Sequence, residues 1–529
     1  MEDTNQIVEA VVAKVGDLKN GEMREVALGD AGKVLLVKED NQFKAIGNKC
    51  THYGAPLKDG TLCNGRVRCP WHGACFNTST GDIEDSPGLD SVHSFKVRVE
   101  GEDVIVAAPV GELKVWKRTP RVGSCSAADT RVFVIIGGGA AGQSAAETLR
   151  DEGFTGRIVL IGKETDLPYD RIKLSKAMTA SVDSILLRPE SFYQERNIEL
   201  LLGKEVTELD AEKKTVAIAG GETFKYDGCL VATGGIPRRL PIPGGDLGNV
   251  YCLRVPEEAH AIASKAEGKN LVVIGSSFIG MEVAAALVAK AKSVTVVGME
   301  KVPFERVLGA EVGAVLQKLH ESKGVKFYLS STTKEFKGEG SVSAVVLGDG
   351  TVLEADVVVV GAGVIPATGF IKGNVDLGRD QSLIVDEFLK AADGLWAAGD
   401  VARYPYHLTG EAVRVEHWGM AQTQGRAVAR HFLGKQTRQF DIVPFFWTVQ
   451  FGKSVRYAGH ATSFDEVIIQ GNPDELKFAA YYVRQGKVLA VAALGMDPLA
   501  SAAADLLAHD KMPTAAELKA GSADLKALL

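Results

Sequence analysis

Two hydrophobic patterns divide the chain. In the N-terminal part, short runs such as Lys33-Val-Leu-Leu-Val-Lys38 and His93-Ser-Phe-Lys-Val-Arg-Val99 combine apolar and polar positions, which is typical of strands in a small β domain. From residue 131 onward, fully apolar runs such as Val132-Phe-Val-Ile-Ile136 lead into segments with helical periodicity. The pattern therefore predicts a small all-β domain followed by an α/β body.

Two short motifs in the all-β region combine cysteine with histidine. One residue separates Cys50 from His52, two separate Cys69 from His72, and sixteen lie between His52 and Cys69. Two thiolates on one iron and two imidazoles on the other are the ligands of a Rieske [2Fe-2S] centre. A structural zinc site is the alternative, but zinc fingers usually pair Cys with Cys and His with His on each arm. The spacing therefore favours the cluster.

The same motifs resemble those of Rieske ferredoxins, and the resemblance implies a subtype. High-potential members of that family carry an extra cysteine in each cluster loop, and the two extra cysteines form a disulfide. The matching positions here are Ala55 and Trp71. The resemblance therefore implies a cluster without a loop disulfide and with a potential near the low end of the Rieske range, on the order of −150 mV.

Composition places the chain among ordinary soluble proteins. It is 46% hydrophobic and 24% charged, and its net charge of −7 offers no basic surface for nucleic acid. No apolar run is long enough to span a bilayer, and the acidic start resembles neither a signal peptide nor a transit peptide. Seven scattered cysteines indicate a reducing compartment, so we expect a cytoplasmic protein.

The body opens with a dinucleotide-binding fingerprint. The strand Val132–Ile136 runs into Gly137-Gly-Gly139-Ala-Ala-Gly142 and a helix, and a second strand ends close to Glu164. In such a unit the helix N-terminus receives a pyrophosphate and the acid binds a ribose. A glycine turn that serves packing alone is the alternative, but the complete order of strand, turn, helix, strand and acid favours a nucleotide.

A second unit of this kind lies further along the chain. A short apolar strand leads into Gly275-Ser-Ser277-Phe-Ile-Gly280, another helix and another strand. Gly298 occupies the place of the strand-end acid, and Glu300 follows two residues later. This departure leaves the choice between NADH and NADPH open. Because no arginine cluster is present to hold a 2′-phosphate, we expect NADH, bound through Glu300.

Two dinucleotide units in one chain resemble the two-domain FAD/NAD(P) reductases. Three further segments match that superfamily in order: Val231-Ala-Thr-Gly-Gly235, Val360-Gly-Ala-Gly-Val-Ile-Pro366 and Leu395-Trp-Ala-Ala-Gly-Asp-Val401. The last segment implies that Asp400 binds the ribitol of FAD. Disulfide reductases of this superfamily need a cysteine pair beside the flavin, and the body offers none near a fitting turn. Electrons must therefore leave the flavin by another route.

Finer matches indicate one subfamily. Leu167-Pro-Tyr-Asp-Arg-Ile-Lys-Leu-Ser-Lys176 resembles a segment of apoptosis-inducing factor and of ferredoxin reductases that serve oxygenases. There, the equivalents of Arg171 and Lys176 contact FAD, and the lysine lies by flavin N5, paired with a glutamate that matches Glu282. Glu416-His-Trp418 resembles the segment whose Glu and Trp contact nicotinamide and flavin.

Aromatic residues near the C-terminus extend this match. Pro444-Phe-Phe-Trp-Thr-Val-Gln-Phe-Gly452 resembles the start of a C-terminal domain whose aromatic side chains line the opposite flavin face. Core packing is the alternative, and it weighs more for Phe445 and Phe446 than for Trp418 and Trp447. With the Cys/His motifs, residues 8–500 resemble the Rieske-containing branch of the apoptosis-inducing-factor-like family.

Motifs and resemblance together imply FAD, a Rieske [2Fe-2S] cluster and NADH or NADPH as cofactors. They assign Cys50, His52, Cys69 and His72 to iron, Lys176, Glu282 and Trp418 to catalysis, and Gly137, Gly139, Gly142, Glu164, Arg171, Lys176, Val206, Thr233, Gly234, Arg238, Asp400, Trp447, Gly275, Ser277, Gly280, Glu300, Gly363 and Glu416 to FAD or NAD(P)H binding.

The expected architecture is multidomain. A small all-β Rieske domain precedes α/β FAD- and NAD-binding domains of glutathione-reductase type and an α+β C-terminal domain. A flexible linker would span about 25–29 Å and leaves open whether the head is docked or mobile. The predicted boundaries are 1–107 for the Rieske domain, 108–130 for the linker, 131–252 and 376–440 for the FAD domain, 253–375 for the NAD(P) domain and 441–529 for the C-terminal domain, which resembles a dimerisation interface.

The sequence-based hypothesis is an NAD(P)H-dependent oxidoreductase. A hydride would pass from NADH to FAD, and electrons would continue singly to the cluster and to an unknown one-electron acceptor, with an oxygenase as the candidate. The alternative is a redox-sensing signalling protein whose NADH/FAD state controls conformation or oligomerisation. We expect a monomer or homodimer without a nucleic-acid partner. The resemblance adds mitochondrial association to the cytoplasmic expectation.

Overall fold

The computed structural model describes residues 6–118, 123–521 and 524–529, and its N-terminal part is the expected all-β head. One antiparallel sheet has the strand order β1-β10-β9-β4-β3-β2, and a second has the order β5-β6-β7-β8. The head contains β1 (Ile7–Lys14), β2 (Glu22–Ala27), β3 (Lys33–Glu39), β4 (Gln42–Gly47), β5 (Thr61–Cys63), β6 (Arg66–Arg68), β7 (Cys75–Asn77), β8 (Ile83–Asp85), β9 (Ser94–Glu100), β10 (Asp103–Pro109) and α1 (Val110–Lys114).

The interval expected to be a flexible linker is partly folded. β10 extends to Pro109, α1 follows directly, and Arg118 forms an isolated bridge with Ser91 of the head. Leu113 packs against the apolar core of the head, which explains why this stretch does not remain extended. The structure therefore differs from the expectation at residues 108–114 and at Arg118, while 119–122 lie outside the described residues.

The first part of the FAD domain surrounds an apolar parallel sheet. β11 pairs in parallel with its neighbours on both sides, so its side chains are buried on both faces. This part contains β11 (Val132–Ile136), α2 (Ala140–Asp151), β12 (Arg157–Ile161), α3 (Glu190–Glu195), β13 (Ile198–Leu201), β14 (Val206–Asp210), β15 (Thr215–Ile218), β16 (Thr223–Lys225), β17 (Gly228–Val231) and β18 (Gly235–Pro237).

The NAD(P) domain repeats this design. Its parallel sheet has the order β19-β26-β20-β21-β22, and β27 pairs with β18 where the two nucleotide domains join. It contains β19 (Val250–Tyr251), α4 (Pro256–Ala266), β20 (Asn270–Ile274), α5 (Phe278–Leu287), β21 (Ser293–Val297), α6 (Glu305–Glu321), β22 (Val325–Tyr328), β23 (Thr333–Glu339), β24 (Ser341–Leu347), β25 (Val352–Glu354), β26 (Val357–Val360) and β27 (Val364–Pro366).

The chain then returns to complete the FAD domain. The elements added are β28 (Ile371–Lys372), β29 (Leu383–Ile384), β30 (Lys390–Ala392), β31 (Leu395–Ala397), β32 (Ala402–Pro405), β33 (Ala412–Val413) and α7 (Trp418–Phe432). The main sheet thereby has the order β13-β12-β11-β17-β31-β30, and α7 packs along α2. Both sheets carry their glycine turns at the carboxyl ends of parallel strands, where nucleotides bind in such folds.

An antiparallel sheet and two helices form the C-terminal domain. The strand order is β34-β35-β38-β37-β36, and one face shares a core with the NAD(P) domain while the other is covered by α8. The elements are β34 (Phe445–Gln450), β35 (Lys453–Gly459), β36 (Glu466–Asn472), β37 (Lys477–Arg484), β38 (Lys487–Leu494), α8 (Leu499–Ala508) and α9 (Ala515–Lys519). In the part of the chain that the structure describes, no helix is both long and apolar enough to cross a membrane.

Candidate electron-transfer site

The two Cys/His motifs lie on two loops of similar geometry in the head. In the first loop the Gly54 N–H donates to the Cys50 carbonyl at 2.9 Å, and in the second the Gly73 N–H donates to the Cys69 carbonyl at 3.3 Å. Both glycines adopt positive φ angles, 76° and 80°, which favour glycine over side-chain-bearing residues. The sequence places glycine after each histidine because each loop reverses there.

The four predicted ligands are sorted into two pairs. Cys50 and Cys69 lie close enough for each thiol to shift the pKa of the other, and the Nδ1 atoms of His52 and His72 lie 3.1 Å apart. This sorting suits a two-iron cluster, in which sulfur binds one iron and nitrogen the other, better than a single tetrahedral ion. Within the described ranges, no group of three His, Cys, Asp or Glu side chains is arranged to hold one metal ion.

The protonation states of the two imidazoles suit iron, and those of the two thiols are linked. The Cys69 thiol and burial raise the pKa of Cys50 well above its usual value, whereas the Cys50 thiol and two backbone N–H groups lower the pKa of Cys69 despite its burial. Burial also lowers the pKa of His52 to about 3 and that of His72 to about 2. At neutral pH both imidazoles are therefore uncharged, which is the form that binds metal. The donor set fits the Rieske cluster.

The first glycine motif forms a turn that fits a pyrophosphate. Gly137 has a φ angle of 113°, and a Cβ there would overlap the Ala232 carbonyl oxygen. A Cβ at Gly142 would overlap the Gly137 carbonyl oxygen, whereas one at Gly139 would meet no protein atom within 4 Å. The outer glycines thus permit the turn itself, and the middle one leaves open space at the N-terminus of α2.

Glu164 lies at the end of β12, where the ribose-binding acid is expected. Its carboxylate accepts hydrogen bonds from Arg171 at 2.7 Å and from the Tyr169 hydroxyl at 2.5 Å. Arg171 also donates to the Arg254 carbonyl oxygen. The acid and the arginine that the sequence predicts separately are therefore one connected group.

Gly234 and Asp400 lie beside Arg254, which the sequence did not predict, and Thr233 precedes Gly234 in the chain. Gly234 has a φ angle of 64°, and a Cβ there would lie 2.8 Å from Arg254 Nη2. The Asp400 carboxylate is 4.0 Å from Arg254 Nη1, and the Thr233 hydroxyl donates to the Ala367 carbonyl oxygen. Arg254 stands in no recognisable motif, so only its position in the fold identifies it.

Two further predicted residues, Arg238 and Gly363, lie at the junction of the two nucleotide domains, and a third, Val206, lies on β14 of another sheet. The Arg238 N–H donates to the Gly363 carbonyl at 2.9 Å, next to the pairing of β18 with β27. Gly363 has a φ angle of 84°, which glycine tolerates at this turn. Val206 begins β14 and is half-buried. The predicted contacts of these three residues with FAD or NAD therefore stay predictions.

Lys176 and Glu282 form the predicted ion pair. Their Nζ and Oε2 atoms are 2.8 Å apart, and the Glu282 side chain is buried. Ser175 donates to the same carboxylate at 2.5 Å, and Thr448 of β34 donates to its other oxygen at 2.7 Å. Three domains thus meet at one carboxylate, and its negative charge is fully compensated by donors. Sequence reasoning missed both hydroxyl groups.

The hydrogen-bond chain continues beyond Thr448 into the core. Gln450 donates to the Thr448 hydroxyl at 3.3 Å and is bonded through its carbonyl oxygen to His320 of α6. Burial lowers the pKa of His320 to about 4, so its ring is neutral at physiological pH. These contacts tie the NAD(P) domain to the C-terminal sheet behind the ion pair.

Glu416 lies two residues before Trp418, and Trp418 begins α7. Glu416 is bonded to Arg414, and burial together with the nearby Asp400 raises the pKa of its carboxyl group. Trp418 is partly buried and packs against the core of the FAD domain. Trp418 therefore packs against the core, and its predicted contact with a cofactor stays a prediction.

The second glycine motif forms the same kind of turn as the first. Gly275 has a φ angle of 109°, and a Cβ there would overlap the Gly361 carbonyl oxygen. A Cβ at Gly280 would likewise overlap the Gly275 carbonyl oxygen. Ser277 precedes α5 as its N-cap residue without a side-chain capping bond. The turn therefore retains its geometry although serine replaces the middle glycine.

Glu300 lies just beyond β21 with two side-chain partners. Ser276 donates to it at 3.2 Å, and Arg306 of α6 forms an ion pair with it at 2.8 Å. A Cβ at Gly298 would overlap the Ser276 hydroxyl, which explains the glycine at the usual position of the acid. The sequence contains no arginine cluster here, but the fold brings one arginine to this carboxylate.

The head docks with its cluster histidines against the C-terminal domain. The Trp447 ring centroid lies 4.2 Å from that of His72 and 5.6 Å from that of His52. On the other side, Tyr53 stacks on His52 and donates to Asp170 at 2.9 Å. Asp170 immediately precedes Arg171 in the predicted FAD segment. The docked head thus places the cluster ligands between two segments that the sequence assigns to the flavin.

Comparison with known proteins agrees with this architecture. Residues 8–96 match the Rieske [2Fe-2S] domain, 131–425 the pyridine nucleotide-disulphide oxidoreductase family and 445–529 the reductase C-terminal domain. Apoptosis-inducing factor 3 of Mus musculus is 46% identical over 514 residues, which cover 95% of this chain and 84% of that relative.

Two solved structures are also similar. A ferredoxin reductase from Rhodopseudomonas palustris gives a TM-score of 0.70 at 32% identity and covers 75% of this chain and 99% of its own. The covalent putidaredoxin reductase–putidaredoxin complex gives a TM-score of 0.71 at 30% identity, and the match covers 76% of this chain and 98% of that one.

Fold, site and comparisons define the class of protein. It is an oxidoreductase that transfers electrons from NAD(P)H through FAD and that carries its own Rieske [2Fe-2S] domain. The chain belongs to the apoptosis-inducing factor family, in the branch with an N-terminal Rieske domain. This confirms the resemblance, the fold class and the cofactors expected from the sequence.

Proposed function

We propose that Trp447 and the two cluster histidines form the electron route between the flavin site and the cluster within one chain. When bound, FAD supplies hydride chemistry and conversion between two-electron and one-electron steps, and the cluster carries single electrons. The observation that supports the route is the contact between Trp447 and His72, with ring centroids 4.2 Å apart. In this proposal Trp447 excludes water from the junction and fixes the approach of the cluster ligands.

We propose further that Lys176 and Glu282 tune the flavin from their position in the ion pair. The family resemblance implies that the lysine lies by flavin N5. Glu282 accepts bonds from Lys176, Ser175 and Thr448, which hold the ammonium group in one place. A fixed positive charge at this position favours a flavin that has accepted a hydride.

The Trp447→Leu variant tests the route. We expect the transfer of electrons to the cluster to slow by at least about tenfold, equivalent to ~1.4 kcal/mol in activation free energy, with little change in flavin reduction by NADH. Anaerobic stopped-flow spectroscopy of the full chain measures both rates, and iron analysis shows whether the cluster is retained. Trp71→Leu is the matched control, because Trp71 also lies beside His72 but is 37% exposed. Equal rates in wild type and Trp447→Leu would place the route elsewhere.

We propose that Glu300 selects NADH. A carboxylate repels a 2′-phosphate, and a lost charge-assisted hydrogen bond is worth about 1.5–3 kcal/mol, or roughly ten- to a hundredfold. Glu300→Ala is therefore expected to raise KM for NADH and to reduce the NADH/NADPH ratio of kcat/KM by that factor. Steady-state kinetics with both coenzymes measure the ratio, and Glu311→Ala, which removes an exposed acid from the same region, is the control.

Two outcomes would contradict the role of Glu300. Wild type that uses NADPH as well as NADH, or a variant that keeps the wild-type ratio, would mean that Glu300 serves to hold Arg306 and Ser276.

We propose a one-electron redox protein as the terminal acceptor, with an oxygenase or its ferredoxin as the candidate. Support comes from the solved complex named for putidaredoxin reductase and putidaredoxin, whose reductase resembles this chain. The oligomeric state, monomer or homodimer, stays a prediction. The cytoplasmic location with mitochondrial association also stays a prediction.

A further inference from the structure

The second cluster loop is hydrogen-bonded to helix α8 of the C-terminal domain. Ser501, which is fully buried, donates its hydroxyl hydrogen to the Cys69 carbonyl at 2.9 Å. At the other end of the loop, the Gly73 carbonyl accepts a bond from Arg68 at 2.9 Å. The backbone on both sides of the ligands Cys69 and His72 is therefore held by residues outside the loop.

Arg68 is in turn held by α8. Its Nε lies 2.7 Å from Asp505 Oδ1, and its Nη2 lies 2.9 Å from Asp85 Oδ2 of the head. Thr61 of the head donates to the second oxygen of Asp505 at 2.8 Å. All four side chains are buried, and a buried charge is stable only when it is paired and hydrogen-bonded. Asp505 is therefore one of two carboxylates that hold the buried Arg68 guanidinium beside the cluster loop.

The first cluster loop is connected in a similar way to the FAD domain. Thr51, which lies between Cys50 and His52 in sequence, donates to the Asp90 carbonyl at 2.6 Å. The Asp90 carboxylate pairs with Arg188 at 2.8 Å, and Arg188 pairs with Glu147 of α2 at 2.9 Å. Asp90 and Glu147 are buried, and the side chain of Arg188 is 10% exposed. Each ligand loop is thus anchored to a different domain of the flavoprotein.

We propose that α8 is part of the Rieske site, with Ser501 and Asp505 as positioning residues for the cluster. The head then differs from a freely diffusing ferredoxin, because the outer shell of its cluster is completed by the C-terminal domain. Groups that orient metal ligands from this distance affect both the affinity and the electronic structure of a site. The inference concerns how the cluster is held and is independent of the Trp447 route.

Full-length Ser501→Ala and Asp505→Asn variants test the proposal. We expect iron to be lost to a chelator about 10–100-fold more readily than from wild type, the usual effect of removing a partner of a metal ligand. We also expect a changed g-anisotropy in the EPR spectrum of the reduced cluster. Ser501→Thr keeps the hydroxyl and is expected to restore both properties. Flavin content and flavin reduction by NADH are expected to remain at the wild-type level.

Asn64→Ala is the matched control for interface packing. Asn64 also joins the head to the end of α8, through His509 at 2.7 Å, but it contacts neither ligand loop. Wild-type EPR and iron retention in Ser501→Ala would overturn the proposal, as would equal losses in Asn64→Ala. If Asp505→Asn fails to fold because one of the two carboxylates that pair with the buried Arg68 is lost, Ser501→Ala decides alone, since it changes no charge.

Discussion

Replacing His72 with alanine is expected to abolish electron delivery to a one-electron protein acceptor while NADH still reduces the flavin. His72 shares the predicted iron site with His52, their Nδ1 atoms being 3.1 Å apart, and its ring contacts Trp447 of the C-terminal domain. Removing a residue that only hydrogen-bonds to a metal ligand lowers metal affinity about 10–100-fold. Removing the ligand His72 itself is therefore expected to lower the iron affinity by at least roughly a hundredfold. Lys176 and Glu282 are untouched.

Two parallel measurements check this result. Stopped-flow absorbance follows flavin reduction by NADH, and steady-state turnover with a one-electron protein acceptor follows delivery. His93→Ala is the control, because it also removes a histidine of the head, but one that pairs with Glu112 and is not a predicted iron ligand. The serial arrangement is contradicted if flavin reduction slows as much as acceptor reduction. It is also contradicted if an iron-free variant still reduces the acceptor, since electrons would then leave the flavin directly.

Local motifs allowed prediction of the cofactors and of the fold class. The chemistry of iron restricts the Cys and His spacing, and a close backbone turn restricts Gly137, Gly142, Gly275 and Gly280, so residue type and order suffice at these places. The ion pair of Lys176 with Glu282 also followed from a family motif. These features depend on neighbours in sequence or on a family motif, and both can be recognised in a single chain.

The missing parts of the site depend on contacts between distant segments. Ser175 and Thr448 at the Glu282 carboxylate, and Arg254 beside Asp400, occupy positions that no motif distinguishes from ordinary polar residues. The docked head is a further case, because its contacts join residues separated by several hundred positions. Composition and spacing gave only a linker length there, and α1 shows that part of that interval is folded.

Gly142→Ala is expected to cost most of the FAD affinity, and Gly280→Ala most of the NADH affinity. In each case a Cβ would overlap the carbonyl oxygen of the first glycine of its own turn, Gly137 or Gly275. Overpacking of this kind costs about 1–3 kcal/mol, which corresponds to roughly 5- to 150-fold in a dissociation constant. Because the two turns have the same geometry, comparing the Gly142→Ala and Gly280→Ala variants shows which nucleotide binds to which domain.

The assignment is tested by measuring bound FAD after purification and KM for NADH in FAD-replete protein. Gly142→Ala is expected to lose FAD, whereas Gly280→Ala keeps FAD and raises KM for NADH. Gly369→Ala, whose Cβ would meet no atom within 4 Å, controls for the substitution itself. Loss of FAD in Gly280→Ala with normal FAD in Gly142→Ala would reverse the two domains. An unchanged KM in Gly280→Ala would mean that the coenzyme binds without the close approach that the glycine turn provides.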